Sequence, residues 1–574
     1  MKQLETVDYL VFLVYFVIVA GYGYWIYRRK KAEKASTTDF FLAEGSLTWW
    51  AIGASLIASN ISAEQFIGMS GSGFAMGLAI ASYEWMAAAT LLVVAIFLIP
   101  VYLRNKIYTM PQFLAQRYSP TVATVMAVFW LLVYIFVNLT SILYLGALAV
   151  QTISGFSFTA CTIGLAVFAI IITLGGMKVI GYTDVIQVVV LILGGLATTY
   201  LALDLVAQNT GGNGIFAGLN TLYTKAGDHF HMILNEGQIM IPDGRGGQKD
   251  AYQELPGLTV LIGAMWITNI NYWGFNQYIT QRALGADLNT ARSGLLFAAF
   301  LKLLMPIIVV LPGIAAYVLF REGVFQQEMM YEVDGKMVVK SDNAYPVLLN
   351  LLPLGLKGLS FAALTAAIVA SLAGKANSIA TIFTLDIYRK FFMKKTPPSE
   401  VPTETGVPVL DVSIDEDKET ASELHLIRVG RIAIIAAMII AVIMAPQLRQ
   451  LDQAFQFIQE FTGFISPGVV AIFILGFFWK RTTASAALVA ALLTIPLGFF
   501  LKFEFPDIPF LNRMGYVFLF LVALMIVISY ADRRGQQNLR TIEVDTRDFR
   551  TSTPFTIGAV LLVGILAALY LVFW

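Results

Sequence analysis

Long apolar runs dominate this chain, and its polar residues collect between them. Runs of spanning length fall at about 8–28, 47–76, 78–104, 122–150, 156–176, 183–207, 257–280, 292–322, 355–390, 428–447, 452–480, 483–502, 512–531 and 553–574. A bilayer core takes roughly 20 helical residues. Each run therefore predicts one membrane helix, and they are called spans 1 to 14. Two spans carry breaks. Span 2 reads SLIASNISAEQFIGMSGSG, with Ser59, Asn60, Ser62, Glu64 and Gln65 inside it. Span 7 reads WITNINYWGFNQYITQR, interrupted by Thr268, Asn269, Asn271, Asn276 and Gln277. Unwound backbone at membrane depth survives only where it lines a cavity. Paired broken helices in two halves point to a secondary transporter with inverted repeats.

The loops set an orientation. Arg28-Arg29-Lys30-Lys31, Lys106 and Arg117, Arg389, Lys390, Lys394 and Lys395, Lys480-Arg481 and Arg533-Arg534 all follow odd-numbered spans. Basic loops stay in the cytoplasm, so both termini are expected outside the cell membrane. The predicted organisation is residues 1–46 as a first peripheral helix and inner loop, and 47–207 as a first five-helix repeat. An outer loop fills 208–256. Residues 257–480 form a second repeat with an inner loop at 392–426, and 481–574 give three further helices.

Composition agrees. The chain has 574 residues, 58% hydrophobic and 13% charged, against about 45–50% apolar in soluble domains. This is an all-α polytopic membrane protein. A net charge of +1 gives no nucleic-acid signature. The single cysteine, Cys161, excludes an intrachain disulfide. No cleaved signal and no appended catalytic domain is visible, so an enzyme is not expected. His229 and His231 do not make a metal site, no cofactor is implied, and GSGFAMG at 71–77 reads as helix packing rather than a phosphate loop.

The polar groups at depth are Asn60, Gln65, Glu84, Asn269, Lys302, Gln456 and Gln459. Amides with one acid and one lysine suit a neutral molecule rich in hydroxyls, because each hydroxyl both donates and accepts. Tyr272 and Trp273 offer flat faces for a sugar ring. Span 9 reads AAIVASLAGKANSIATIFTLDIY, with Lys375 in its middle. A lone charge there costs about 2.5–3.5 kcal/mol on the lenient insertion scale.

ASLIASNISAEQFIGMSGSG, ASYEWM, GYTDVIQ, NYWGFNQYITQR, NSIATIFTLDIY and FQFIQEFTGFISPG together resemble the sodium:solute symporter family, nearest its bacterial sodium/galactose branch. The resemblance covers spans 1–12. It implies a five-plus-five inverted-repeat core and a sugar site of Asn60, Gln65, Glu84, Asn269, Lys302 and Gln459. Tyr272 would be an inner gate, and Met69, Tyr83 and Phe455 an outer gate. Ala87 stands where that branch carries a serine, so one sugar contact is missing. The implied sodium site uses the carbonyls of Ala58, Ile61 and Ala367 and the hydroxyl of Ser371, but Ala370 replaces a second hydroxyl.

Lys375 lies four residues after Ser371, on the same face and about 6 Å along the helix. Three readings of it follow. It pairs with Asp184 or faces inner water while sodium still binds. It replaces sodium, giving a uniporter or, if it titrates, a proton symporter. Or it snorkels to headgroups, which its mid-helix position disfavours. The expected function is sodium-coupled symport of a neutral monosaccharide, with sugar, sodium and bilayer as partners.

Overall fold

The computed structural model describes residues 4–30, 48–107, 109–174, 177–243, 247–284, 286–333, 336–392, 400–401, 409–410, 416–450 and 454–574. Most of this is helix. The strands among the described residues form three small antiparallel hairpins, 240–242 with 248–250, 330–333 with 336–339, and 400–401 with 409–410. The all-α architecture expected from the hydrophobic pattern is present.

Among the described residues, nine helices are long and apolar enough to cross a membrane, or ten with one bent pair, short of the fourteen expected. Breaks and turns account for much of the difference. Span 2 splits into helix Trp49–Asn60, a π-helical turn Glu64–Met69 and helix Ser70–Met76. Gly77 then takes φ 72°, and the chain continues through Gly77–Ala81 into Ser82–Val93 and on to Arg104. The length count merges Glu64–Arg104 into 41 residues. That is about 60 Å of helix, twice a bilayer core. Span 7 is cut into Leu258–Ile262, Ala264–Gly274 and Gln277–Leu284, each too short to cross alone. Span 11 bends by 48° between Ala454–Gly463 and Ser466–Phe478. Span 5 and the described apolar part of span 1 are shorter apolar helices, Phe158–Thr173 and Thr6–Val19.

Helix Leu288–Arg321, which is span 8, lies at the centre. It packs against Trp49–Asn60, Ser70–Met76, Ser82–Val93 and Met177–Gln208. Span 9, helix Leu356–Thr381, packs against spans 1, 4, 5, 6 and 10. Asp8 of span 1 caps it, accepting the N–H groups of Gly355 at 2.9 Å and Gly358 at 3.0 Å.

Gly77 is needed where it stands. Besides its left-handed φ, a Cβ there would collide with the backbone of His229 in the 208–256 loop. On the opposite face, buried Arg117 donates to five carbonyls, those of Gly476, Trp479, Lys480, Thr482 and Arg540. It thereby ties the end of span 11 to the 532–552 segment.

Candidate functional site

The break in span 2 builds the first wall of the site. Ile61 is extended at φ −71°, ψ 111°, so the helix stops after Asn60. Ser62 and Gln65 then cap the restarted helix. The Gln65 side-chain oxygen accepts the Ser62 N–H at 3.1 Å, and the Ser62 hydroxyl accepts the Glu64 N–H at 3.1 Å. In a continuous helix the Ser62 N–H would go to the Ala58 carbonyl. Here it goes to a side chain, so Ala58 loses its helical partner. The pattern Ser62-x-x-Gln65 was readable in the sequence as a helix start.

A cavity opens beside this break. Asn60, Gln65, Glu84, Asn269, Tyr272, Lys302 and Gln459 all line it. Residues far apart in sequence, on spans 2, 3, 7, 8 and 11, thus share one space.

Lys302 organises the polar wall. Its ammonium is fully enclosed and pairs with Glu84 Oε2 at 2.5 Å, donates to Asn60 Oδ1, and sits 5.1 Å from the centre of the Trp273 ring. Asn60 Nδ2 in turn donates to the Tyr272 hydroxyl at 3.2 Å. Asn269 spends its amide N–H on the Met265 carbonyl at 3.1 Å, leaving its oxygen for a ligand. Gln65 is the reverse case, with its oxygen committed to Ser62 and its NH2 left to offer. Gln456 turns away from the cavity and contacts Met76 Sδ at 3.7 Å.

Tyr83 and Phe455 meet edge to face at 5.1 Å on one side of the cavity. Met69 is buried in the π-helical turn against which helix Ala454–Gly463 packs, and it does not line the cavity. Past Tyr272, the lining continues through Trp130, Tyr134 and Asn276, with the Tyr134 hydroxyl 2.5 Å from Asn276 Oδ1. Ala87 lines the cavity without a hydroxyl.

Lys375 also lines this cavity, and the structure pairs it with Glu64 Oε1 at 3.4 Å. Asp184, the partner considered from sequence, has a side chain outside the described residues. Glu64 was visible as an interrupting residue of span 2, but nothing in the sequence aims it at Lys375. Its carboxylate is also reached by the Ser141 hydroxyl of span 4 at 3.4 Å. One turn before Lys375, the Ser371 hydroxyl is buried with no hydrogen-bond partner among the described residues. Helix Trp49–Asn60, which carries Ala58, packs against the span 9 helix that carries Ala367 and Ser371.

A cavity lined by polar side chains between broken helices, inside a bundle of apolar spans, points to a secondary transporter embedded in a membrane. The model of the sodium:solute symporter family matches residues 40–403 and 411–494, and the chain belongs to that family. It is 44% identical over its whole length to the sodium/glucose cotransporter of Vibrio parahaemolyticus, covering 99% of that protein. It is 31% identical over 87% of its length to the sodium/myo-inositol cotransporter 2 of Sus scrofa, covering 70% of that protein. The fold is also that of a solved sodium-coupled sialic acid symporter, with TM-score 0.71, 21% identity, 92% of this chain and 98% of that one. These likenesses make the chain a transporter and not an enzyme.

Proposed function

We propose that the chain carries a neutral monosaccharide, glucose- or galactose-like, across the cell membrane together with sodium, by alternating access. The charge balance of the cavity carries the substrate class. Among the described residues, two carboxylates and two ammoniums line it, Glu84 with Lys302 and Glu64 with Lys375. An anionic substrate would leave its charge unmatched in a buried site, which is costly. Hydroxyls can instead bridge Glu84, Lys302 and the amides of Asn60, Gln65, Asn269 and Gln459. Tyr272 closes the inner side, and Tyr83 and Phe455 close the outer side.

Spans 2–6 and 7–11 are the two repeats of this transporter, with broken spans 2 and 7 in corresponding places. The basic loops face the cytoplasm and both termini face outside. Sodium is a second substrate, held by the carbonyls of Ala58, Ile61 and Ala367 and by Ser371. The orphan Ser371 hydroxyl and the Ala58 carbonyl freed by the diverted Ser62 N–H suit a small hard cation. By joining span 2 to span 9, sodium favours the state that binds sugar.

The substrate class is tested by equilibrium binding to the purified protein of D-galactose, D-glucose, myo-inositol and N-acetylneuraminic acid. A hexose is expected to bind best and the acid worst. A preference for the acid would overturn the reading, and a preference for myo-inositol would move it to a cyclic polyol. A second reading rests on Lys375 beside a site that has lost a hydroxyl to Ala370. There the lysine replaces sodium, and transport is uniport or proton-coupled. It expects Lys375→Ala to create sodium dependence, and it fails if the variant responds to sodium as the parent does.

A further inference from the structure

The sugar contacts leave one buried ion pair without a task. Glu64 opens the π-helical turn just after the break in span 2, and Lys375 sits one helical turn after Ser371 on span 9. Both are more than nine-tenths buried, and their charges lie 3.4 Å apart in the cavity wall. Each partner therefore flanks one half of the sodium site, Glu64 three residues after Ile61 and Lys375 four after Ser371. The Ser141 hydroxyl, on a third helix, lies 3.4 Å from the carboxylate.

An ammonium beside a cation site repels the cation. Residues four apart on a helix have Cβ atoms about 5–6 Å apart. At an effective dielectric near 20, a second unit charge about 6 Å away changes binding by roughly a hundredfold. We propose that Glu64 is a positioning residue for sodium, whose carboxylate offsets the Lys375 ammonium and keeps the adjoining cation site usable. The inference rests on the sodium reading above and assigns Glu64 no direct contact with the ion. It explains how a site that has lost one hydroxyl and gained a lysine still takes sodium. The lysine arrives with its own counter-charge, and the pair itself ties span 2 to span 9.

The test is sodium binding to the full-length purified protein, read as bound 22Na and as the rise in melting temperature with sodium against choline at constant ionic strength. Parent, Glu64→Gln, Lys375→Met and the double variant are compared. Glu64→Gln is expected to weaken sodium by about tenfold or more, and the double variant to return within about threefold of the parent. A purely structural role for Glu64 would not be rescued by removing Lys375. The proposal is overturned if Glu64→Gln binds sodium as the parent does, or if the double variant stays as weak as Glu64→Gln.

Either failure leaves sodium coupling standing wherever the parent still binds sodium, whereas a parent that binds none overturns both. Should Glu64→Gln fail to fold, the parent, Lys375→Met and the double variant decide. Tighter sodium binding by Lys375→Met than by the parent, with the double variant within about threefold of the parent, supports the proposal, and a Lys375→Met variant that binds sodium as the parent does overturns it.

Discussion

Lys302 is the residue on which the polar wall depends. It neutralises Glu84 and holds Asn60, which holds Tyr272. Lys302→Met would strand a buried carboxylate, a loss of about 3–5 kcal/mol. The expected result is a sharp fall in melting temperature and loss of sugar binding. Adding Glu84→Gln should restore much of the stability but not the binding. Tyr272 has a lighter role. Tyr272→Phe removes one hydrogen bond to Asn60 and keeps the ring. Tyr272→Ala also removes the stacking face, which at about 0.5–1.5 kcal/mol weakens sugar binding roughly two- to tenfold. Titration of sugar against the two variants checks the order Phe above Ala.

At this scale much of the site was legible. Polar residues inside apolar spans face the interior, so Asn60, Gln65, Glu84, Asn269, Lys302 and Gln459, which line the cavity, could be named from the sequence, together with Gln456, which turns away from it. The partner of Lys375 could not. Glu64 lies 311 positions away, and which neighbouring side chain meets the lysine depends on helix register.

At the scale of elements, the break in span 2 and the turn after it fix where these residues stand. The Ser62 cap holds the break open. Ser62→Ala removes a cap worth about 1 kcal/mol. Faster hydrogen exchange over 61–66 with the rest of span 2 unchanged would report it. Gly77→Ala asks more of the fold. It forces a left-handed φ on a residue with a Cβ, costing roughly 1–2 kcal/mol, and adds a collision with His229. A lowered melting temperature is expected, and an unchanged one would contradict the packing of the 208–256 loop on this turn.

Hydropathy found the apolar runs but not their continuity. Span 7 falls into three pieces because the helix breaks at Gly263 and again between Gly274 and Gln277. Gln277 Oε1 there accepts the Met110 N–H at 2.8 Å, a contact 167 positions away that no local pattern announces.

At the scale of the whole molecule, the 532–552 segment clasps the face opposite the 208–256 loop. Arg104 pairs with Glu543 at 2.6 Å and Asp548 at 2.5 Å. Arg292 donates to the carbonyls of Asp548 at 2.6 Å and Arg550 at 2.9 Å. The hydrogen bond from the Arg547 side chain, helped by Arg104, holds the Asp545 carboxyl down to about 2. Because the folded value is depressed, Asp545's contribution is present above its ordinary pKa and is lost as pH falls through about 2. Once corrected for the intrinsic rate, hydrogen exchange over 543–549 should be equal at pH 7 and pH 5. Faster exchange at pH 5 would place the carboxylates elsewhere.

The central claim joins sugar and sodium in one cycle. It is tested most directly by galactose and glucose uptake into proteoliposomes holding the purified chain, with an inward sodium gradient and with choline in its place. Uptake above the outside concentration that requires sodium and collapses in choline is the predicted result. Uptake that only equilibrates and ignores sodium would contradict it and would give the ion's place to Lys375.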